Sequence, residues 1–253
     1  MALTREVSAA LAHCELTHTP RVPIDVEVAR TEHAAYERAL AAAGCRVERV
    51  AGAPDLPDAV FIEDVAVVVD ELAVVTRPGA ESRRPERVAV ASALQRYRRL
   101  RFIEAPGTLD GGDVLTMNRR VYVGISSRTN VDGVAQLRQI LGPLGYSVCE
   151  VPVAGCLHLK SAVTAVGDGV VLANPDWIPA AAFSSCDRIA VDPAEPGAAN
   201  AIPVNGRIIF PAAFPRTADR LTRRGFTVMT VEVSELAKAE GAVTCCSLVF
   251  DVE

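Results

Sequence analysis

The residues with the most chemistry to offer lie near the C-terminus, in the stretch GAVTCCSLVF from Gly241 to Phe250. Two adjacent cysteines, Cys245 and Cys246, sit there in a short apolar run. Neighbours on a strand point to opposite faces. A regular strand over 243–250 therefore puts Val243, Cys245, Ser247 and Val249 on one face and Thr244, Cys246, Leu248 and Phe250 on the other. The second face is bulkier, so Cys246 reads as core and Cys245 as the thiol that lines a pocket. The plainer alternative is that both are inert, because free cysteine is among the most buried residue types.

A nucleophilic thiol needs a partner that makes or stabilises its thiolate, commonly a histidine distant in sequence. His13, His18 and His33 lie in polar N-terminal surroundings and are expected at the surface. His158, in GCLHLKSAV, lies between Leu157 and Leu159. Taken alone it reads as a hydrogen-bonded structural histidine before it reads as a catalyst.

Carboxylates concentrate in two places. Asp58, Glu63 and Asp64 belong to PDAVFIEDVAV, and Asp110 and Asp113 flank a glycine pair in GTLDGGDVL that permits close backbone approach. Turn chemistry and strand-end solvation are the plain alternative for all five. On a regular strand Glu63 and Asp64 face opposite ways, so both reach one site only where the strand ends or bulges. Arg83 in ESRRPE and Arg128 in SSRTN follow the second strands of successive predicted hairpins. Their shared placement predicts a mouth of positive charge suited to a carboxylate, against the ordinary alternative of surface arginines.

The elements that must position these groups repeat. Four hairpins are predicted, in AVVVDELAVVTRP, DVLTMNRRVYVG, AVTAVGDGVVLA and NAIPVNGRIIFP, turning at Asp70-Glu71, Asn118-Arg119, Gly167-Asp168-Gly169 and Asn205-Gly206. The turns recur at intervals of 48, 50 and 37 residues, so 253 residues hold about five such units. A closed ring of five units hides most sheet edges, and an ordinary mixed sheet is the alternative. Helical patterns run over 27–43 (closed by Gly44), 84–100, 130–141 and from Pro215 to Gly225. VTCCSLVF then needs a partner, and pairing with an N-terminal strand near Leu3 to Val7 closes the ring.

Composition bounds the function. Half of the residues are hydrophobic and 23% are charged, which describes a folded globular chain. A net charge of -5 gives no electrostatic footprint for nucleic acid or an anionic membrane and mildly favours a small cation. No apolar run approaches a membrane span, and Arg5 and Glu6 interrupt any signal-peptide pattern. The seven cysteines are odd in number and scattered, so reduced thiols and a cytoplasmic location are expected. Cys14 with His18, and Cys149 with Cys156, lack the second pair of a four-ligand metal site.

FIEDVAV, TRPGAESRR, TLDGGDVL, YVGISSRTN, LHLKSAV and VTCCSL occur together in this order. In this the chain resembles dimethylarginine dimethylaminohydrolases, within the guanidine-modifying superfamily of arginine deiminases and amidinotransferases. The likeness runs from about residue 20 to the end. It implies an α/β fold: a five-bladed propeller of ββαβ units, residues 1–253 forming a single catalytic domain around a central channel. It also implies Cys245 as nucleophile, His158 as general acid and base, and Asp110 as the carboxylate orienting the histidine. By the same likeness Asp58, Glu63 and Asp64 contact the guanidinium and amino groups of a substrate. Arg83 and Arg128 bind its carboxylate, and Ala239 offers a backbone carbonyl. One departure stands in the N-terminal lid, CELTH, where Glu15 occupies the place of a leucine unless a one-residue slip restores Leu16.

The expected reaction is hydrolysis of an Nω-methylated arginine to citrulline and a methylamine, with no metal or organic cofactor. The partner is a small guanidino amino acid, with no nucleic acid or membrane, and the protein is expected to be a monomer or homodimer. Deimination of free arginine is the alternative within the same chemistry. A non-catalytic propeller that binds protein or RNA, like the ribosome anti-association factor, is the alternative outside it. A scaffold has no need of these cysteine, histidine, carboxylate and arginine positions together.

Overall fold

Each of the four predicted hairpins forms, and each recruits a third strand beside its second. The computed structural model describes residues 1–179 and 181–252. The chain begins with β1 (Ala2–Arg5), α1 (Val26–Ala42) and β2 (Val47–Val50). The first hairpin, β3 (Ala66–Val68) and β4 (Leu72–Val75), leads through α2 (Arg87–Leu94) to β5 (Arg99–Phe102). The second, β6 (Val114–Met117) and β7 (Arg120–Ile125), leads through α3 (Val131–Leu141) to β8 (Ser147–Pro152). The single turn α4 (Leu159–Ala162) opens onto β9 (Val163–Gly167), β10 (Val170–Ala173) and β11 (Asp187–Ala190). The fourth hairpin, β12 (Ile202–Val204) and β13 (Arg207–Pro211), leads through α5 (Pro215–Arg223) to β14 (Thr227–Val231), and α6 (Ser234–Ala237) precedes β15 (Leu248–Val249).

Local chemistry explains these boundaries. The Asp25 side chain caps α1 by accepting from the Glu27 and Val28 N–H groups, and Gly44 follows the helix at φ +94°. Asn130 caps α3 by accepting from Gly133 N. Asn205 and Gly206 take φ +48° and +76°, the pair of left-handed residues that a type I′ turn requires.

In four units the hairpin is antiparallel and the third strand runs parallel to its second member. The fifth unit is assembled from both ends of the chain. β15 pairs antiparallel with β1, setting Val249 opposite Ala2 and Leu248 opposite Leu3, while β2 runs parallel on β1's other side. The result is a ring of five three-stranded sheets. The innermost strand of each sheet, β3, β6, β9, β12 and β15, contributes to the wall of one central cavity of about 250 Å³. The apolar core lies between neighbouring sheets, in clusters such as Val74, Val123 and Leu137 or Leu172, Ile208 and Leu221, each drawn from two adjacent units. Burying each such side chain contributes on the order of 1.5–3 kcal/mol.

Three expectations are corrected. The helix expected over 84–100 is a 3₁₀ turn over Glu81–Glu86 followed by α2, because residues from Arg99 onward are taken by parallel pairing with β4. The unit of β9, β10 and β11 has no helix between its second and third strands among the described residues. Residues 243–246 form a turn rather than a strand, and β15 begins after the cysteines.

Candidate active site

One rim of the ring collects the segments that lead into the inner strands. Asp64 sits in the 3₁₀ turn Ile62–Val65 just before β3, and Asp110 immediately precedes the turn Gly111–Asp113 before β6. His158 is the extended N-cap residue of α4 before β9, and Cys245 lies in the turn before β15. The Glu63 N–H donates to the Cys245 carbonyl at 3.1 Å, which ties the first of these loops to the last. Arg83 and Arg128 reach the same rim because β4 and β7 run back toward it.

The glycine pair lets these loops meet. A Cβ on Gly111 would stand 2.0 Å from the Glu63 carbonyl oxygen, and one on Gly112 would stand 2.5 Å from His158 Nδ1 and 2.7 Å from Asp64 Oδ1. The bare Gly112 N–H instead donates to Asp64 Oδ1 at 3.0 Å.

His158 is buried in a cage of carboxylates. Its Nε2 lies 3.1 Å from Asp110 Oδ2, its Nδ1 lies 3.7 Å from Asp64 Oδ1, and Asp113 is close by. Burial alone pulls an imidazole down, but Asp64, Asp113 and Asp110 outweigh it and push His158 up to about 9. At neutral pH the ring is therefore an imidazolium. Asp110 is itself fixed by the Gly79 N–H at 2.9 Å, and Asp113 by Ser126, Thr129 and the Leu159 N–H. Asp64, Asp110 and His158 bring three potential metal-ligand atoms within 4.8 Å of one another. A metal at this set would have to displace the proton from His158 and compete with the ion pair between Asp64 and Arg83.

The two cysteines differ as expected, though not for the expected reason. Cys245 is partly exposed and lines the rim cavity, while Cys246 is fully buried with its thiol against the Ala242 carbonyl. Ser247 does not share the pocket with Cys245; it is buried and hydrogen-bonded to Tyr36 Oη at 2.6 Å. Burial pushes the Cys245 thiol up to about 12, with Glu63 and Asp64 adding to the shift. The free site thus pairs a neutral thiol with a cationic imidazole.

Cys245, His158, Asp64, Asp58, Arg83, Arg128, Ala239 and Glu15 line one cavity. Its free space is about 20 Å³, room for about one water. Glu15 faces this cavity, its N–H donating to both Asp58 oxygens and its carboxylate accepting from Ser82 Oγ at 2.5 Å. Leu16 packs on the apolar cluster around α1 instead.

The arginines do not form an open mouth. Arg83 is buried and committed to Asp64 at 2.5 Å, to both Glu86 oxygens and to the Asp58 and Phe61 carbonyls. Arg128 is also buried, yet its one side-chain hydrogen bond among the described residues is from Nη2 to Thr17 Oγ1 at 2.9 Å. Glu63 faces away from the cavity that holds Cys245. Its carboxylate accepts from Lys160 Nζ at 2.5 Å and Thr244 Oγ1 at 2.7 Å on the wall of the central cavity.

Known proteins share this chain's sequence and fold. The chain matches the family described as N,N dimethylarginine dimethylhydrolase, eukaryotic, over residues 17–191. An N(G),N(G)-dimethylarginine dimethylaminohydrolase of Streptomyces coelicolor is 43% identical over 98% of this chain and 95% of the relative. The chain belongs to the dimethylarginine dimethylaminohydrolase family. The enzyme of Pseudomonas aeruginosa, solved as a cysteine-to-serine mutant complexed with citrulline, superposes with a TM-score of 0.95 at 34% identity and covers 98% of both chains. The N-terminal domain of a cyanobacterial arginine dihydrolase, with a TM-score of 0.88 at 20% identity, shares the fold.

Membership in the dimethylarginine dimethylaminohydrolase family makes this chain a hydrolase of guanidino C–N bonds. Sequence reading noted Asp113 without giving it a role and did not single out Glu86 or Glu240; the three carboxylates hold His158's loop, Arg83 and the lid respectively. Each is an acid in a polar stretch with no periodic signal. His33, expected at the surface, is buried with Nε2 unpartnered among the described residues. Among the described residues, no helix is long and apolar enough to cross a membrane.

Proposed function

We propose that the chain hydrolyses Nω-methylated arginine to L-citrulline and a methylamine through a covalent thiouronium on Cys245. The observation that carries this reading is a carboxylate-caged imidazolium in the same cavity as a partly exposed thiol. A guanidinium carbon resists attack because its charge is delocalised, so it must be held against a strong nucleophile. Asp58 and Asp64 supply the acids that hold it, and Arg128, with its donors nearly all free, supplies the fork for the substrate carboxylate. Arg83 mainly clamps Asp64 in place. The Ala239 carbonyl is assigned to the substrate ammonium, and Glu15 adds a carboxylate at that end of the cavity.

The protonation states suit the sequence of steps. A bound guanidinium beside Cys245 offsets the carboxylates that keep the thiol neutral and favours loss of its proton to solvent. Attack by the thiolate on the guanidinium carbon forms the C–S bond. The His158 imidazolium then gives its proton to the departing dimethylamine or methylamine as the C–N bond breaks. The imidazole left behind takes a proton from water, whose oxygen attacks the thiouronium carbon. Collapse of that adduct breaks the C–S bond and releases citrulline as the hydroxyl proton passes to the departing sulfur, which restores the Cys245 thiol and the His158 imidazolium. Asp110 keeps the ring in register throughout.

Residues 1–253 act as one catalytic unit, and seven free thiols suit the reducing cytoplasm. The test is citrulline release from asymmetric dimethylarginine, monomethylarginine and arginine supplied separately. Release from the methylated compounds at the higher kcat/KM supports the reading. Preference for arginine would replace the substrate, and no citrulline from any of them would remove the reaction.

A further inference from the structure

Residues 17–19, which follow Glu15 of the rim cavity, present their three backbone N–H groups to one carboxylate. Glu240 Oε2 accepts from the Thr17 N–H at 2.9 Å, and Oε1 accepts from the His18 and Thr19 N–H groups at 2.6 Å each and from Thr19 Oγ1 at 3.1 Å. Three successive backbone donors on one carboxylate form an anion nest closed by the protein's own side chain. Glu240 also holds φ +58°, a left-handed conformation that a non-glycine residue adopts only when its surroundings over-determine it. It follows Ala239 in sequence and lines the cavity that holds Cys245 and His158.

The captured segment carries two of that cavity's own bonds. Thr17 Oγ1 accepts from Arg128 Nη2, and the Glu15 N–H donates to Asp58. One engages the cation assigned to the substrate carboxylate, the other an acid assigned to its cationic groups. With about 20 Å³ free, the cavity must rearrange its lining to seat an arginine-sized molecule, and Glu15 and Glu240 both belong to that lining.

We propose that Glu240 is a positioning residue, a latch whose carboxylate fastens residues 17–19 over the cavity and thereby sets the aim of Arg128 and Asp58. The proposal rests on the reading of this cavity as the substrate site. It assigns Glu240 no contact with the reacting atoms. Loss of the latch weakens substrate capture and leaves the chemistry of Cys245 and His158 intact.

Glu240→Gly is the sharpest test because it removes the carboxylate and relieves the left-handed strain together. Amide exchange at Thr17, His18 and Thr19 should accelerate on the order of tenfold or more, while the thermal midpoint is unchanged or raised. KM for asymmetric dimethylarginine should rise on the order of tenfold with kcat changed by less than about threefold. Thr17→Val, which removes the Arg128 contact but keeps all three amides, should raise KM without changing exchange at His18 and Thr19. Unaltered exchange at all three amides in Glu240→Gly overturns the latch, as does a fall in kcat with KM unmoved. Failure of the functional reading looks different: the native chain releases no citrulline while the three amides still respond to Glu240→Gly.

Discussion

At the scale of single residues, the site turns on which sulfur is reachable and on which groups carry protons. Cys245→Ser should abolish citrulline release with the far-UV spectrum unchanged. Cys246→Ser, at a fully buried position facing a carbonyl, should keep most of the turnover and lose about 1–2 kcal/mol in urea denaturation. Reversal of the two phenotypes would assign the chemistry to the wrong thiol. The carboxylate cage makes a second claim. Because His158 stands above its ordinary value, the stabilisation from its ion pairs is complete below about pH 6.5 and is lost as pH climbs through about 9. Histidine NMR should show that ring titrating near 9, and Asp110→Asn should move the titration to lower pH and reduce kcat more than it changes KM. A native ring titrating near 6.5 would dissolve the cage.

At the scale of elements, the 3₁₀ turn Gly111–Asp113 is the joint on which the rim is built. Its two glycines serve different neighbours, so their substitutions should fail differently. A methyl on Gly111 meets backbone oxygens of Glu63 and Ala66, which cannot move without unseating β3. A methyl on Gly112 meets the His158 ring and the Asp64 carboxylate. Gly111→Ala is expected to cost stability, lowering the thermal midpoint by roughly 5 °C or more. Gly112→Ala should cost turnover, by about a hundredfold, with a smaller change in midpoint. Equal losses in both variants would mean that the turn acts as a single packing unit.

At the scale of the whole molecule, the ring is closed by the two ends of the chain. β15 supplies only two paired residues, but its Leu248 and the following Phe250 are buried in the cluster that also holds Leu3, Val65 and Leu94. Phe250 meets the Tyr97 ring edge at 5.7 Å between centroids. Phe250→Ala should therefore cost about 3 kcal/mol in denaturant unfolding. At low temperature kcat and KM should stay close to native, because Phe250 lies outside the rim cavity. A loss of activity larger than the loss of stability would show that closure of the ring tunes the site directly.

The chain's order of residues determined the hairpins, because apolar alternation and Asx-Gly turns are local signals that each span only a few residues. Five units and a terminus-to-terminus closure followed from their spacing. Ordered motifs such as TLDGGDVL and VTCCSL were enough to name Cys245, His158 and Asp110. What tertiary structure alone decided is which way each group faces. Residues 84–100 read as helix, yet Arg99 to Phe102 pair with β4, because completing a sheet outweighs helix propensity. Glu63 and Asp64 are neighbours in sequence, but a 3₁₀ turn sends one to Lys160 in the central cavity and the other to Arg83 and His158 at the rim. Arg83 and Arg128 read alike, and Glu86 makes them different by occupying the first. Nothing local marks Glu240, whose carboxylate meets three amides 221 to 223 residues away. Such roles come from contacts between distant segments, whose energy no local pattern encodes.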